Sequence, residues 1–195
     1  MIKYFENNFK ILEHAMSSIN EEQYDKLLEE CYQTVRSGHK IIASGLGKNV
    51  PICEKFVGTM NSYGLNASFL HTNTAVHGDL GIVKKGDLVI LLSKSGNTAE
   101  TIALAHHLQE RDCRTWAITF SKEAQVCRCV QETLLMELEH EGDQWDIVPN
   151  NSTTAYLIVL QAIAVELANR FKISRKQFGL NHPGGNIGKK LGMTL

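Results

Sequence analysis

Much of what would mark a specialised protein is missing from this chain, and each absence excludes a class. Neither sign of charge dominates: 20 Lys and Arg stand against 21 Asp and Glu, for a formal net charge of −1. No basic field exists to grip a nucleic-acid backbone, which excludes polyanion binding as the main role; a small anion, needing only a few local donors, stays admissible. The five cysteines (Cys31, Cys53, Cys113, Cys127, Cys129) form no CxxC pair. An odd set of unclustered thiols reads as reduced and cytosolic. The opening MIKYFENNFK has no apolar core of a signal peptide;. The longest apolar stretch, Ala155 to Ala168, is interrupted by Gln161 and Glu166. It is read as a buried helix, too short for a membrane span. GxxxxGK[ST] is absent, so ATP use has no support. No repeat, low-complexity tract or Pro/Gly-rich linker marks a second domain. The expectation is a single domain over 1–195, soluble and cytoplasmic, with no membrane or nucleic-acid partner and no cofactor.

What is present has a clear rhythm. Over residues 3–37 apolar positions recur at helical spacing (Phe5, Phe9, Leu12, then Leu27, Leu28, Cys31, Tyr32, Val35). They predict two amphipathic helices over 1–37, parted near Ser17–Asn20, with Asn20 as N-cap and Gly38 ending the second. From residue 38 onward short apolar runs alternate with helical segments. Strands are expected at Lys40–Ser44, Asn66–His71, Asp87–Leu92, Arg114–Phe120 and Thr133–Leu138, with helices to Tyr63, over Thr98–Arg111 and over Ser152–Phe171. This alternation implies βαβ units, hence an α/β fold with a five-stranded parallel sheet between helices, a three-layer αβα sandwich.

In such sheets ligands gather where strands end and helices begin. Two strand ends here are rich in Gly and Ser: SGLGK (44–48) and SKSGNT (93–98). In the second, Ser93, Ser95 and Thr98 supply hydroxyls, Gly96 lets backbone approach closely, and the helix that follows adds its partial positive charge. A phosphate dianion needs such converging donors; a plain capped turn needs only one or two of them. SGLGK lacks the third glycine of a dinucleotide fingerprint, Val50 standing in its place;. Lys48 is either a surface lysine or a cation for a phosphate or an enediolate.

His71 and His77 are six apart, off one helical face, and make at most half a metal site. Glu137, Glu139 and Glu141 end the fifth strand as a solvated acidic edge or as one carboxylate turned inward. His182 lies in a Pro- and Gly-constrained loop (182–188), a setting suited to an acid or base that titrates near neutrality.

Together these strings resemble the sugar isomerase (SIS) domain family, and within it the arabinose-5-phosphate isomerases. The matching strings are GLGK (45–48), His71 through HGDLG (77–81), SxSG (93–96), PxxSTTA (149–155) and HPGGxxG (182–188). The resemblance implies an αβα domain assembled as a homotetramer, with active sites at subunit contacts. It implies interconversion of D-ribulose 5-phosphate and D-arabinose 5-phosphate through a cis-enediol, an early step toward 3-deoxy-manno-octulosonate and lipopolysaccharide. By motif, the family's active-site residues fall on Lys48, Glu100, Glu141 and His182. Its other histidines fall on His71 and His77, implicated in substrate contact and in an inhibitory zinc that is not required. The phosphate and substrate contacts fall on Ser44, Gly47, Ser93, Ser95, Gly96, Asn97, Thr98, Ser152, Thr153 and Thr154. Many members append CBS modules; a chain ending at Leu195 is expected to be a stand-alone catalytic form. Lys94 stands where the family usually has Asn, and Gln144-Trp145-Asp146 beside Glu141 is unusual.

The chemistry fits these residue types. Moving a proton between C1 and C2 needs a base at the carbon acid, an acid at the carbonyl and positive charge where the enediolate forms. Lys48 is expected to stabilise that charge and Glu100 to orient Lys48. Glu141 and His182 share the carbon-bound proton and the ring-opening or relay step. Hexulose- and heptose-phosphate isomerases are the enzymatic alternatives. A sugar-phosphate sensor is the alternative from another class, though residues 3–37 are too few and too acidic for a DNA-binding module.

Overall fold

The computed structural model describes residues 2–193. Helices α1 (Ile2–Ser17) and α2 (Glu21–Arg36) form the expected N-terminal pair. Asn20 caps α2, its side chain accepting the Gln23 N–H at 2.9 Å;. Then follow β1 (Ile41–Gly45), α3 (Val50–Ser62), β2 (Ala67–His71), α4 (Thr72–Ala75), β3 (Leu88–Leu92), α5 (Ala99–Gln109) and β4 (Arg114–Thr119). The chain closes with α6 (Val126–Cys129), β5 (Glu132–Leu135), α7 (Asn151–Arg170), α8 (Arg175–Leu180) and α9 (Gly185–Lys190).

Every strand pairing is parallel, in the order β2-β1-β3-β4-β5. A parallel sheet of this kind must be covered on both faces, and the side-chain alternation of the strands meets that need. Ile41, Ala43, Leu88, Ile90 and Leu92 pack with Leu27, Phe56, Leu160 and Ile163 of α2, α3 and α7. Ile42, Val89 and Leu91 pack with Leu104, Leu108 and Val126 of α5 and α6. These are the three αβα layers. The chain runs from β1 outward to β2, then crosses to the other side of β1 and continues through β3, β4 and β5. The direction of winding therefore reverses between β1 and β3, and reversal opens a crevice at the carboxyl ends of those two strands.

Some expectations are corrected. β5 ends at Leu135 rather than Leu138, because the Glu137 N–H is taken by the Ser18 hydroxyl at 2.8 Å instead of by β4. Phe5 and Phe9 are exposed, not on an inward stripe; α1 buries Ile11 and Ala15. The segment after His182 is not all loop, since Gly185–Lys190 is helical. Finally, α7 has 20 residues and a mean hydropathy of 1.2, enough by length and composition to cross a membrane, contrary to the shorter reading. Tyr156, Leu160, Ile163 and Leu167 nonetheless lie buried in the core.

Candidate active site

The crevice at the β1/β3 reversal holds a cavity of about 470 Å³. Its walls come from the turn after β1 (Leu46 to Asn49), the loop after β3 (Ser93, Lys94, Ser95, Thr98), Thr101 of α5, and Pro149 and Ser152 at the start of α7. A cleft of about 710 Å³ lies further along the carboxyl edge, between Ser18–Gln23 and the ends of β4 and β5, but none of the glycine-rich turns reaches it.

The β1 turn is dictated by crowding. A Cβ on Gly45 would stand 2.7 Å from the Asn49 Cβ, so only glycine fits, and Gly47 adopts a positive φ of 59°;. Asn49 donates its side-chain amide to the Leu92 carbonyl at 3.2 Å and stitches the β1 turn to the end of β3. Lys48 is thereby carried on a fixed single 3₁₀ turn at the cavity mouth. Among the described residues no carboxylate pairs with it.

The β3 loop folds around its own donors. Ser93 Oγ accepts the Gly96 N–H at 3.2 Å, and Ser95 Oγ accepts the Asn97 N–H at 3.2 Å. Gly96 has a φ of 61°, and a Cβ there would sit 2.3 Å from that of Ala124. The loop is tied to the α6 turn by Gln125 N–H to Asn97 Oδ1 at 2.9 Å and Val126 N–H to the Gly96 carbonyl at 3.0 Å. Thr98 is the N-cap of α5 by conformation, yet its hydroxyl makes no capping bond; it lies 3.4 Å from Ser93 Oγ. Thr101, one turn in, is 2% exposed, and its hydroxyl has no hydrogen-bond partner. A buried hydroxyl left unpaired is costly, and its residue is part of the cavity wall. Thr101 escapes a reading of the sequence because the loop motif stops at Thr98; its position three residues past a helix cap was the available signal.

The start of α7 is in the opposite condition. Glu141 has a wholly buried side chain, and its Oε2 accepts the N–H groups of Asn150 at 3.0 Å and Ser152 at 2.9 Å. It caps α7 from outside the helix. Its other oxygen, Oε1, takes no directed hydrogen bond, and its charge is met by the Lys94 ammonium at 2.8 Å. Burial pushes this carboxyl's pKa up, but Lys94, Ser152 and the Asn150 N–H more than offset it, leaving it below the ordinary value;. Tyr156, one turn further along α7, is raised well above its ordinary value by burial first and the Glu141 charge second.

The structure thus gathers Gly47, Lys48, Ser93, Ser95, Thr98 and Ser152 in one cavity, with Gly96 and Asn97 shaping its loop and Glu141 behind Lys94. Other candidates lie elsewhere. Ser44 is buried and shares a 3.2 Å hydrogen bond with Thr72. Thr153 and Thr154 each donate to the Asn150 carbonyl at 2.9 Å, which commits both hydroxyls to the helix. Glu100 does not reach Lys48; with His77 it lines a separate hollow of about 370 Å³ between α4 and α5. His71 Nδ1 accepts the Asn73 N–H at 3.2 Å, capping α4. Among the described residues no three His, Cys, Asp or Glu side chains cluster as a metal site.

His182 is the most distant. It stacks on Phe178 at 4.1 Å, Phe178 packs on Tyr63, and Asn181 donates to the Ser62 carbonyl, all at the far end of α3 from Lys48. Thirteen residues of helix separate the two ends, roughly 20 Å at 1.5 Å per residue. The Phe178 carbonyl, 2.8 Å from His182 Nδ1, can only accept. Nδ1 therefore carries the hydrogen of this bond.

A doubly wound sheet with a helix start at its reversal point is a frame on which ligands gather, and comparison with known proteins gives the family. The chain belongs to the SIS domain family, whose pattern matches residues 35–166. It is 32% identical over 190 residues to the arabinose 5-phosphate isomerase KdsD of Francisella tularensis, covering 97% of this chain and 58% of that protein. It is 34% identical over 161 residues to KdsD of Salmonella typhi, covering 83% and 49%. The chain thus spans about half the length of the curated relatives it matches. Among solved structures, Escherichia coli CFT073 c3406 in complex with arabinose 5-phosphate superposes with a TM-score of 0.86 at 33% identity, over 93% of this chain and 95% of that one.

Proposed function

We propose that this protein is an aldose–ketose isomerase of phosphorylated sugars, with D-ribulose 5-phosphate and D-arabinose 5-phosphate as its pair. The observation that carries the reading is the uncapped α5 N-terminus, ringed by Ser93, Ser95, Thr98 and the unpartnered Thr101, in one cavity with the free Lys48. Helix starts favour anions, and hydroxyls without partners gain most from a ligand that supplies acceptors. The choice of a five-carbon sugar rests on the likeness to KdsD proteins and to the complex named above.

In this reading the phosphate sits on α5, and its binding energy fixes the carbonyl end near Lys48. A base removes the proton from the carbon beside the carbonyl, and that electron pair becomes the C1–C2 double bond. The carbonyl π pair moves to oxygen as an enediolate, which Lys48 stabilises. A proton then passes from the C1 hydroxyl to the C2 oxygen, the C1 oxygen pair becomes the aldehyde carbonyl, and the C1–C2 π pair takes a proton at C2, with no net oxidation. Of the two expected proton carriers, His182 keeps that role in this reading, while Glu141, with Oε2 held by α7 and Oε1 by Lys94, anchors the cavity wall instead. His182 reaches a cavity only from a second copy of the chain, which supports a homo-oligomer, a tetramer in this reading, with sites at the contacts. Proton NMR of ribulose 5-phosphate incubated with the protein in D2O is expected to show arabinose 5-phosphate with deuterium at C2. No product and no exchange would remove the pentose reading, and the same result across hexulose and heptulose phosphates would remove the isomerase reading.

A further inference from the structure

Lys94 is the one residue of the 93–98 loop that phosphate binding leaves without a task. Among the described residues it is also the only cation besides Lys48 in the cavity wall. Its ammonium lies 2.8 Å from Glu141 Oε1, and the two side chains differ sharply in access: 44% of the Lys94 side chain is exposed, none of the Glu141 side chain. With Oε2 committed to two backbone N–H groups, Glu141 turns no free oxygen toward the cavity. What the cavity meets at this point is the lysine, held in place from behind. An extended lysine costs side-chain entropy to fix; a buried carboxylate that is itself locked by α7 is a rigid anchor for it.

We propose that Lys94 is a further residue of the reacting end: an ammonium anchored on Glu141 that, together with Lys48, meets the negative charge developing on the sugar. This inference rests on the isomerase reading. Among the described residues the cavity wall contains no carboxylate, whereas a bound phosphate dianion plus an enediolate brings up to three negative charges, more than Lys48 alone can offset. The other titratable groups around Glu141 do not replace Lys94. Asp146 Oδ1 is spent on the Glu141 backbone N–H at 2.6 Å, and His140 Nδ1 on the Gly142 N–H at 2.9 Å. Tyr156 is buried and neutral beside the carboxylate.

The test compares wild type, Lys94→Gln and Lys94→Arg in the deuterium-exchange assay. Lys94→Gln is expected to lose about 100-fold in kcat, the scale of one charge-stabilising donor, with KM changed less than about threefold. Lys94→Arg, which keeps the charge, is expected to recover about tenfold of that loss. A second readout does not depend on turnover. Carbon-13 NMR of labelled glutamate, with the Glu141 signal identified by its absence in Glu141→Gln, should show that carboxyl titrating at higher pH in Lys94→Gln than in wild type. Wild-type kcat in Lys94→Gln, or an unmoved Glu141 titration, overturns the inference while the isomerase reading stands. A wild-type protein inert toward every phosphorylated ketose overturns both.

Discussion

Two helix N-termini open on the same cavity, and they are in opposite states. The first N–H groups of α7 are already occupied by the carboxylate of Glu141, and its threonines donate to its own carbonyls. At α5, among the described residues, no side chain caps the helix, the Thr98 hydroxyl lies 3.4 Å from Ser93 Oγ and the Thr101 hydroxyl has no partner. Both helices have the same dipole and both begin with hydroxyl residues. What separates them is whether the chain supplies its own anion. In the proposed reading the internal carboxylate turns an external phosphate away from α7 and toward α5.

That contrast can be broken most severely at Gly96. Gly96→Val combines a positive φ with a Cβ placed 2.3 Å from that of Ala124. It should destabilise the fold by about 2–4 kcal/mol and abolish sugar-phosphate binding, read by chemical denaturation and calorimetry. Unchanged affinity would mean that the loop is not the phosphate site. Next in size, Ser95→Ala with Thr98→Val should weaken binding by about two to four orders of magnitude, since each hydrogen bond to a charged group is worth about 1.5–3 kcal/mol. Thr153→Val with Thr154→Val should leave affinity within about twofold. Equal losses from both pairs would erase the distinction between the helices.

The smallest effect is in acid. Glu141 has a lower pKa folded than its ordinary 4.5, so the stability it contributes is present at neutral pH and is lost as pH falls through the folded value. Glu141→Gln should therefore be less stable than wild type near pH 7 and converge with it in acid. Parallel stability curves for the two proteins across that range would show that the carboxylate's charge contributes nothing to the α7 cap.

Much of this is legible in the sequence itself. The apolar runs that became β1 and β3 sit between turn residues, and Asn20 precedes its helix in the position where a cap belongs. The SKSGNT loop announces itself because its hydrogen bonds are local: Ser93 to Gly96, Ser95 to Asn97. Lys94 sits in the middle of that string and could not be read, because its partner arrives from the far side of β5. The same reason hides the role of Glu141 among three neighbouring glutamates, since only the fold shows which of them meets the first turn of α7. Ser44 shows the reverse error: its motif is intact, but the pleat of β1 turns its hydroxyl toward Thr72. Glu100 follows the loop by two residues, yet helical rotation carries it to the hollow beside His77. Distance along the chain predicts contact only where the backbone between two residues does not turn.

The 3.2 Å bond from Asn49 to the Leu92 carbonyl joins loops that belong to different βαβ units. Across a winding reversal the two units share no connecting helix, so this amide is a direct strut between the element that carries Lys48 and the loop after β3. In the proposed reading the spacing between the cation and the anion cradle is gauged by that one side chain, a ruler whose length sets how long a sugar the cavity can span.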